Sequence, residues 1–518
     1  MRELLESLPG LTLAHLRLSL TALALGTAIS LPLGVWAHRQ DKLRGLLLGG
    51  VGILQTIPSL ALLAFMVPAI GALAPLIEAS TGVRPSAIGE GPALMALTVY
   101  GLLPVLQNTV AGLAGVDPAA VEAARGVGMT DRQRLLQVEL PLALPVIVAG
   151  LRTSAVWTVG TAVLATPIGA ASLGAFIFVG LQTRNHASIA VGCAASALLA
   201  LGLDAWIRGF QGALERRARG TMRVMAALSV SVWLAVLAPV VWPSGSDGRP
   251  KVRVGAKAFT EGYLFAEIFG ARLAEAGFEV DQIGSLGSTV IFDALVSGDV
   301  DVYLDFSGTI LANVMKEEVG PGGREGVLER IRTWLDKTHD IRVAAVLGYE
   351  NRYAFALRKA QAESLGVRTL SDLAEREGGL SLVASYEFFD RPEWASVQAS
   401  YAFDFAERTI MEQALAYDAV HSGARDVVVA YSTDARIVTF DLAVLDDDKG
   451  AIPPYEAIAL VRGAFADAHP KALEALAPLA GAFDEPAVRR LNRAVDEEGT
   501  SPAQAAHDWL RSFDAERD

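Results

Sequence analysis

One cysteine occurs in 518 residues. It is Cys193, inside an apolar run, and a single thiol excludes an internal disulfide and a cysteine-built metal site. Histidine is almost as scarce. The seven are scattered, with no two at metal-ligand spacing on one helix, so no metal is expected. There are eight lysines and none follows a glycine, so no G-x-x-x-x-G-K-[ST] phosphate loop exists. The chain is therefore not expected to hydrolyse ATP alone, and no catalytic residue is assigned.

Positive charge is short overall, with a net charge of −13, which argues against nucleic acid as a partner. The shortage is uneven. Residues 1–220 hold 15 Lys+Arg against 11 Asp+Glu, a net of +4, while residues 221–518 hold 29 against 46, a net of −17. The chain is 52% hydrophobic yet 19% charged, averages that suggest two unlike parts. A mildly basic, apolar front precedes an acidic, soluble-looking back.

Six runs in the front are long enough to cross a bilayer, which takes about 20 apolar residues each. They fall near 15–36, 46–70, 93–113, 142–165, 189–206 and 225–241. A shorter Gly-rich piece, 168–180, reads as re-entrant or interfacial. Basic residues concentrate in HRQDKLR (38–44), in the 116–137 loop and in RGFQGALERRARGTMR (208–223). Cytoplasmic loops carry such an excess, so the N-terminus is expected outside and six crossings return the back half to the outside. The sixth run, within MRVMAALSVSVWLAVLAPVVWPSGSDG (222–248), resembles a secretory signal but lacks a clear Ala-x-Ala site. An uncleaved anchor is the preferred reading, with SGSDGRP (244–250) as linker. The expected domains are thus 1–220, a permease-like region of five spans; 221–250, a sixth span and linker; and 251–518, an extracytoplasmic domain.

From Lys251 the pattern becomes α/β. KVRVGAK alternates as a half-buried strand, and TEGYLFAEIFGARLAEAGF carries apolar residues at helical spacing. DVDVYLDF, VAAVLGY, DVVVAY and ALVRG read as further strands. About 265 residues are enough for two lobes.

Two stretches carry chemistry. In the apolar front, EAARGVGMTDRQRLLQVELPLALP (122–145) is charged and sits between membrane-length runs. Glu122, Ala123, Ala124, Gly128, Leu140 and Pro141 resemble the EAA-x3-G-x9-I-x-LP signature of ABC importer permeases, with Val138 for Ile. Without the resemblance the stretch would be only a solvated loop helix. The resemblance implies a coupling loop (116–141) whose short cytoplasmic helix docks on a separate ATP-binding subunit, which would hold the ATP and Mg. Small Ala and Gly allow close backbone approach, and Pro141 suits the first turn of the next helix. Arg152, about three turns into the fourth run, is costly unless it faces a cavity or a partner.

The back half resembles the substrate-binding proteins of the glycine betaine/choline uptake family, through GAKAFTEGY (255–263), GSLGSTVIFDALVSGDVDVYLDFSGT (284–309), YENRYAFAL (349–357), AYSTDARI (430–437) and IPPYEAIAL (452–460). The expected fold class is an α-helical membrane domain of ABC importer permease type followed by a two-lobed α/β domain like a periplasmic binding protein. A quaternary ammonium has no N–H to donate, so ring faces must recognise it, each worth roughly 0.5–2 kcal/mol. By resemblance the aromatic cage falls on Phe306, Tyr353, Tyr431 and Tyr455, with Asn351 a further lining position. Lys257, Thr309 and Arg391 are the implied carboxylate holders, Arg391 within a loosely family-like FFDRPEW. Phe306 stands where the family usually has tyrosine, which removes a hydroxyl. Taken singly, each ring reads as core and each cation as surface charge.

Keeping both Lys257 and Arg391 favours a zwitterion, because two cations would repel a ligand without a carboxylate. The expectation is an importer subunit in the plasma (inner) membrane, paired as a homodimer, for a compatible solute such as glycine betaine. Choline, carnitine or ergothioneine are alternative substrates. A membrane-anchored sensor is a different class, disfavoured by the docking loop, and an ion-coupled carrier would need no ATPase.

Overall fold

The structure, a computed structural model, describes residues 2–82, 84–183, 185–216, 218–241, 248–317, 323–376 and 378–517. The chain separates into two compact units, one containing most of residues 1–248 and the other most of residues 249–518.

The first unit is helical. Its elements are α1 (Arg2–Arg39), α2 (Asp41–Thr56), α3 (Ser59–Thr81), α4 (Glu90–Ala114), α5 (Pro118–Gly126), α6 (Asp131–Arg134), α7 (Leu140–Ala162), α8 (Gly174–Gln182), α9 (His186–Glu215) and α10 (Arg219–Val241). Five segments have the length and apolarity to cross a membrane: Glu6–Arg39, Ser59–Thr81, Glu90–Ala114, Asp131–Ile168 and His186–Leu214. The second run differs from its expected placement at 46–70. Ile57 is extended, with φ −69° and ψ 127°, and Pro58 follows it, so the run divides into α2 and α3. Proline disfavours the α-region for the residue before it, which places the crossing-length helix at Ser59–Thr81. The sixth run lies within α10, and its side chains from 233 to 240 are outside the described residues, as are 242–247 of the linker. The Gly-rich piece becomes a 3₁₀ turn, Val163–Ile168, and the nine-residue α8, too short to cross.

Small residues make this unit's core. Ala93, Ala96, Ala155 and Ala162 are fully buried, and the Ser154 hydroxyl donates to the Gly101 carbonyl at 2.9 Å. At Gly150 a methyl group would lie 2.5 Å from the Asn108 Cβ and 2.6 Å from the Pro104 carbonyl, so α7 reaches α4 only because no side chain intervenes. Arg152 is not isolated: it pairs with Asp204 of α9, which also pairs with Arg208. That pairing offsets the cost of an arginine at such depth.

The second unit holds two five-stranded sheets. Its strands are β1 (Lys251–Lys257), β2 (Glu279–Leu286), β3 (Val302–Phe306), β4 (Ile341–Glu350), β5 (Tyr353–Arg358), β6 (Ser381–Ala384), β7 (Glu407–Ile410), β8 (Val427–Tyr431), β9 (Leu442–Val444) and β10 (Glu456–Arg462). One sheet runs β2-β1-β3-β10-β4 and the other β7-β6-β8-β5-β9. The chain enters the second sheet between β4 and β5 and returns between β9 and β10, so two strands of backbone join the lobes. β3 is buried at every position, as expected of a strand covered on both faces. Helix α11 (Thr260–Glu275) packs on the first sheet through Leu264, Phe265, Ile268 and Phe269, all fully buried.

Candidate ligand-binding site

The site grows from strand ends. Lys257 closes β1 and Phe306 closes β3, which pair in parallel and so finish on the same edge. β10 runs antiparallel to β3, which puts its approach, with Tyr455, at that edge too. In the other sheet Tyr353 opens β5 and Tyr431 closes β8, and the two are direct partners in an antiparallel pair. Both crossovers therefore deliver tyrosines to the mouth between the lobes. Ligands of open α/β sheets bind outside such carboxyl ends.

The rings form a continuous chain. Tyr455 meets Tyr353 edge-on at 5.8 Å between centroids, and Tyr353 meets Tyr431 at 5.3 Å. Phe259 then links Tyr431, at 6.5 Å, to Phe306, at 6.2 Å. Phe259 was not singled out from sequence, although its one-residue distance from a family-like Lys257-Ala258 was a usable signal. Phe306, Tyr353 and Tyr455 are buried, and Tyr431 is half-buried. Gly308 makes the approach of Tyr455 possible: a methyl group there would lie 2.7 Å from the Tyr455 ring. The Ser307 hydroxyl fixes the same crossover, donating to the Pro454 carbonyl at 3.0 Å and accepting from the Glu456 N–H at 2.9 Å. Thr309 is buried in the following turn.

The two cations are compensated, and this changes the charge argument made from sequence. Lys257 Nζ donates to Asp305 Oδ1, both side chains buried, and lies 5.7 Å from the Phe306 ring centre. Asp305 also accepts from the Tyr303 hydroxyl at 2.5 Å and from the Phe306 N–H at 2.7 Å. Arg391 lies 5.7 Å from the centre of the Tyr353 ring, with its Nη1 3.9 Å from Glu393 Oε1. Repulsion by two bare cations is therefore not a feature of this site. Sequence reasoning missed Asp305 and Glu393, although each is within two residues of a position it named.

Glu393 also accepts from the Tyr455 hydroxyl. Burial, with Glu393 beside it, raises the Tyr455 hydroxyl well above its ordinary range, so the phenol stays protonated and donating. Asn351 lies buried where its backbone N–H donates to the Tyr455 carbonyl at 3.0 Å. Its amide nitrogen donates to Glu261 at 3.3 Å. Glu261 further accepts from Tyr349 and Thr433, both at 2.7 Å, and from Asn492 at 3.3 Å. Burial raises the Glu261 carboxyl, and those four hydrogen bonds oppose the rise. Because Thr433 belongs to the second lobe, Glu261 bridges the lobes behind the rings.

In the first unit the coupling-loop residues stand together on a protrusion. Asp117 caps α5, accepting from the Ala119 N–H at 2.9 Å, and Pro118 occupies its first turn. Glu122 and Ala123 are exposed, and Ala124 is buried. Gly128 turns the chain with φ +81°, a left-handed conformation that favours glycine. A Thr130–Gln133 capping box then starts α6, which continues through a π-turn, Leu135–Glu139, into α7 with Leu140 and Pro141 at its start.

A multi-pass helical unit with a capped, exposed loop helix, followed by two lobes converging on a set of rings, defines a membrane permease fused to a ligand-binding domain. Residues 30–220 match the family of binding-protein-dependent transport system inner membrane components. Residues 250–512 match the substrate-binding domain of ABC-type glycine betaine transport systems. The ergothioneine transport permease/ergothioneine binding protein EgtU of Helicobacter pylori (strain G27) is 31% identical over 491 residues, covering 92% of this chain and 85% of that protein. The choline transport system permease protein OpuBB of Bacillus subtilis (strain 168) is 40% identical over 193 residues, 37% of this chain and 82% of its own length. The carnitine transport binding protein OpuCC of Listeria monocytogenes is 28% identical over 280 residues, 52% of this chain and 88% of its own length. The chain belongs to the family of ABC importer permeases fused to a glycine-betaine-type substrate-binding domain.

Proposed function

We propose that this chain is the membrane and solute-capturing subunit of an ATP-driven importer for a quaternary-ammonium compatible solute. Glycine betaine is the reference ligand, with choline, carnitine and ergothioneine as alternatives; the relatives' names span the last three. The observation that carries the reading is the continuous chain of rings at the mouth between the lobes. A methylated ammonium offers no donor, and stacked ring faces are the chemistry that attracts it. In this reading Arg391, Lys257 and Thr309 hold the ligand's carboxylate. Arg391 is the better placed, because its 3.9 Å separation from Glu393 leaves room for a bidentate partner.

The binding domain works outside the membrane and the coupling loop inside it, at the plasma (inner) membrane. A separate ABC ATP-binding subunit binds ATP and Mg and grips the loop through exposed Glu122, Ala123 and Val127. Two copies of the chain and two ATP-binding subunits make the simplest assembly. Tethering raises the local concentration of the captured solute's carrier, to the order of millimolar for a short flexible linker. No cofactor is bound by this chain itself.

The test is uptake of labelled glycine betaine into proteoliposomes containing the chain and its ATP-binding subunit. Uptake that requires ATP and disappears in Tyr353→Ala supports the reading. Binding without uptake would instead favour a sensor, and uptake without the ATP-binding subunit a secondary carrier.

A further inference from the structure

Two acceptors beside the rings have no partner. Glu393 Oε2 is buried and unbonded, although Oε1 of the same carboxylate takes the Tyr455 hydroxyl. The Glu393 side chain is fully buried. Asn351 Oδ1 is likewise buried and unbonded. Its orientation is set by chemistry: Glu261 accepts from the amide nitrogen, and an amide oxygen turned there would repel it, so Oδ1 faces away from Glu261. Asn351 meets the backbone of Tyr455 and Glu393 meets its hydroxyl, so the acceptors flank one ring of the cage. Asn351 also lies two residues before Tyr353, on the same side of an extended segment.

Glycine betaine cannot satisfy either atom, because every hydrogen on it is carried by carbon. Leaving a buried acceptor unpaired is costly, more so for a carboxylate oxygen. A ligand that pairs these atoms must carry a donor apart from its methylated ammonium. We infer that the site selects a methylated-ammonium acid that also bears an N–H group, which donates to Glu393 Oε2 with Asn351 Oδ1 as second acceptor. This rests on the cage reading above and narrows it. Glu393 is then a specificity-determining residue, and the rings supply attraction common to all such solutes. Polar discrimination of this kind exceeds what an apolar pocket achieves, since the wrong ligand strands a buried group.

The experiment uses the full chain in lipid nanodiscs and calorimetry with a matched pair of ligands. Histidine betaine carries a trimethylammonium, a carboxylate and one ring N–H; its ring-N-methyl isomers keep the shape and lose that donor. Histidine betaine is expected to bind at least about tenfold more tightly than either isomer. In Glu393→Gln the ratio should shrink to about threefold or less. A ratio near one in the unmodified chain overturns the inference. So does a ratio that Glu393→Gln leaves intact, or binding of glycine betaine without histidine betaine. If Tyr353→Ala weakens none of these ligands, the cage itself is lost, and the inference with it. Should Glu393→Gln fail to fold, the ligand pair on the unmodified chain still decides, and Tyr455→Phe, which frees Oε1 while keeping the ring, should lower the ratio.

Discussion

In the membrane unit the residues shut inside are Ala93, Ala96, Ala155 and Ala162, while Phe65, Leu76, Leu198 and Leu201 face outward. In the binding unit Phe265, Phe269, Phe355 and Tyr417 are shut inside. The same residue types are thus sorted oppositely within one chain. Water drives large apolar groups inward in the second unit. Hydrocarbon gives no such preference in the first, where small residues are selected because they let helix backbones touch. Polar groups follow the contrast: one arginine–aspartate pair ties α7 to α9, whereas a whole network around Glu261 joins the lobes.

The comparison breaks most visibly if the two units can be disabled separately. Glu122→Lys combined with Gly128→Trp is expected to abolish ATP-dependent uptake and leave solute binding unchanged. Loss of both activities would show that the units do not act independently. Next in size is Gly150→Ala. Inserting even a methyl group there forces overpacking of about 1–3 kcal/mol, so the membrane unit should melt earlier. Leu198→Ala, a larger change on the outward face, should leave the melt within about 0.5 kcal/mol. Equal effects would mean that small residues are not what holds α4 to α7.

On the binding side, Tyr353→Ala is expected to cost about 1–2 kcal/mol of affinity for a trimethylammonium ligand, or roughly 5- to 30-fold in a calorimetric isotherm. Gly308→Ala should weaken binding too, by displacing Tyr455, although it removes no ligand contact. Unchanged affinity in both would dissolve the ring-chain account.

The smallest effect is one of pH. Burial pushes the Asp496 carboxyl up to about 7, Asp434 adding to the rise while Thr260 and Arg436 oppose it. The folded state therefore keeps a proton that the unfolded chain releases from about pH 4 upward, so stability is fullest below that and falls as pH rises towards 7. Raised Glu261 contributes with the same sign. Thermal melts of the binding unit should show this decline, and Asp496→Asn should flatten it. A flat wild-type profile would refute the assignment.

Much of this organisation was legible in the residues. Alternation identified β1, β3, β8 and β10, and helical spacing identified α11, because both elements are amphipathic or fully apolar over enough residues. The break at Pro58 was also visible as Ile57-Pro58, but a hydropathy run passes through proline without registering it. β6, β7 and β9 were not read, being only four, four and three residues long. The family resemblance named rings that the fold brings together, but it could not supply Phe259 as the link between them. Nor could it weigh charge. Lys257 and Asp305 are 48 residues apart, and Tyr455 and Glu393 are 62 apart, so no local pattern announces either contact.

By itself, the order of residues determined which half enters a membrane, where the charged loop helix starts and turns, and which side chains could attract a cation. Those are properties of composition, spacing and backbone freedom, and they act locally. Only the tertiary structure decided that each cation beside the rings has its own carboxylate, and that Glu393 and Asn351 hold acceptors in reserve. The reason is geometric: strands distant in sequence end at one edge, and compensation of charge depends on ångström distances that exist only there.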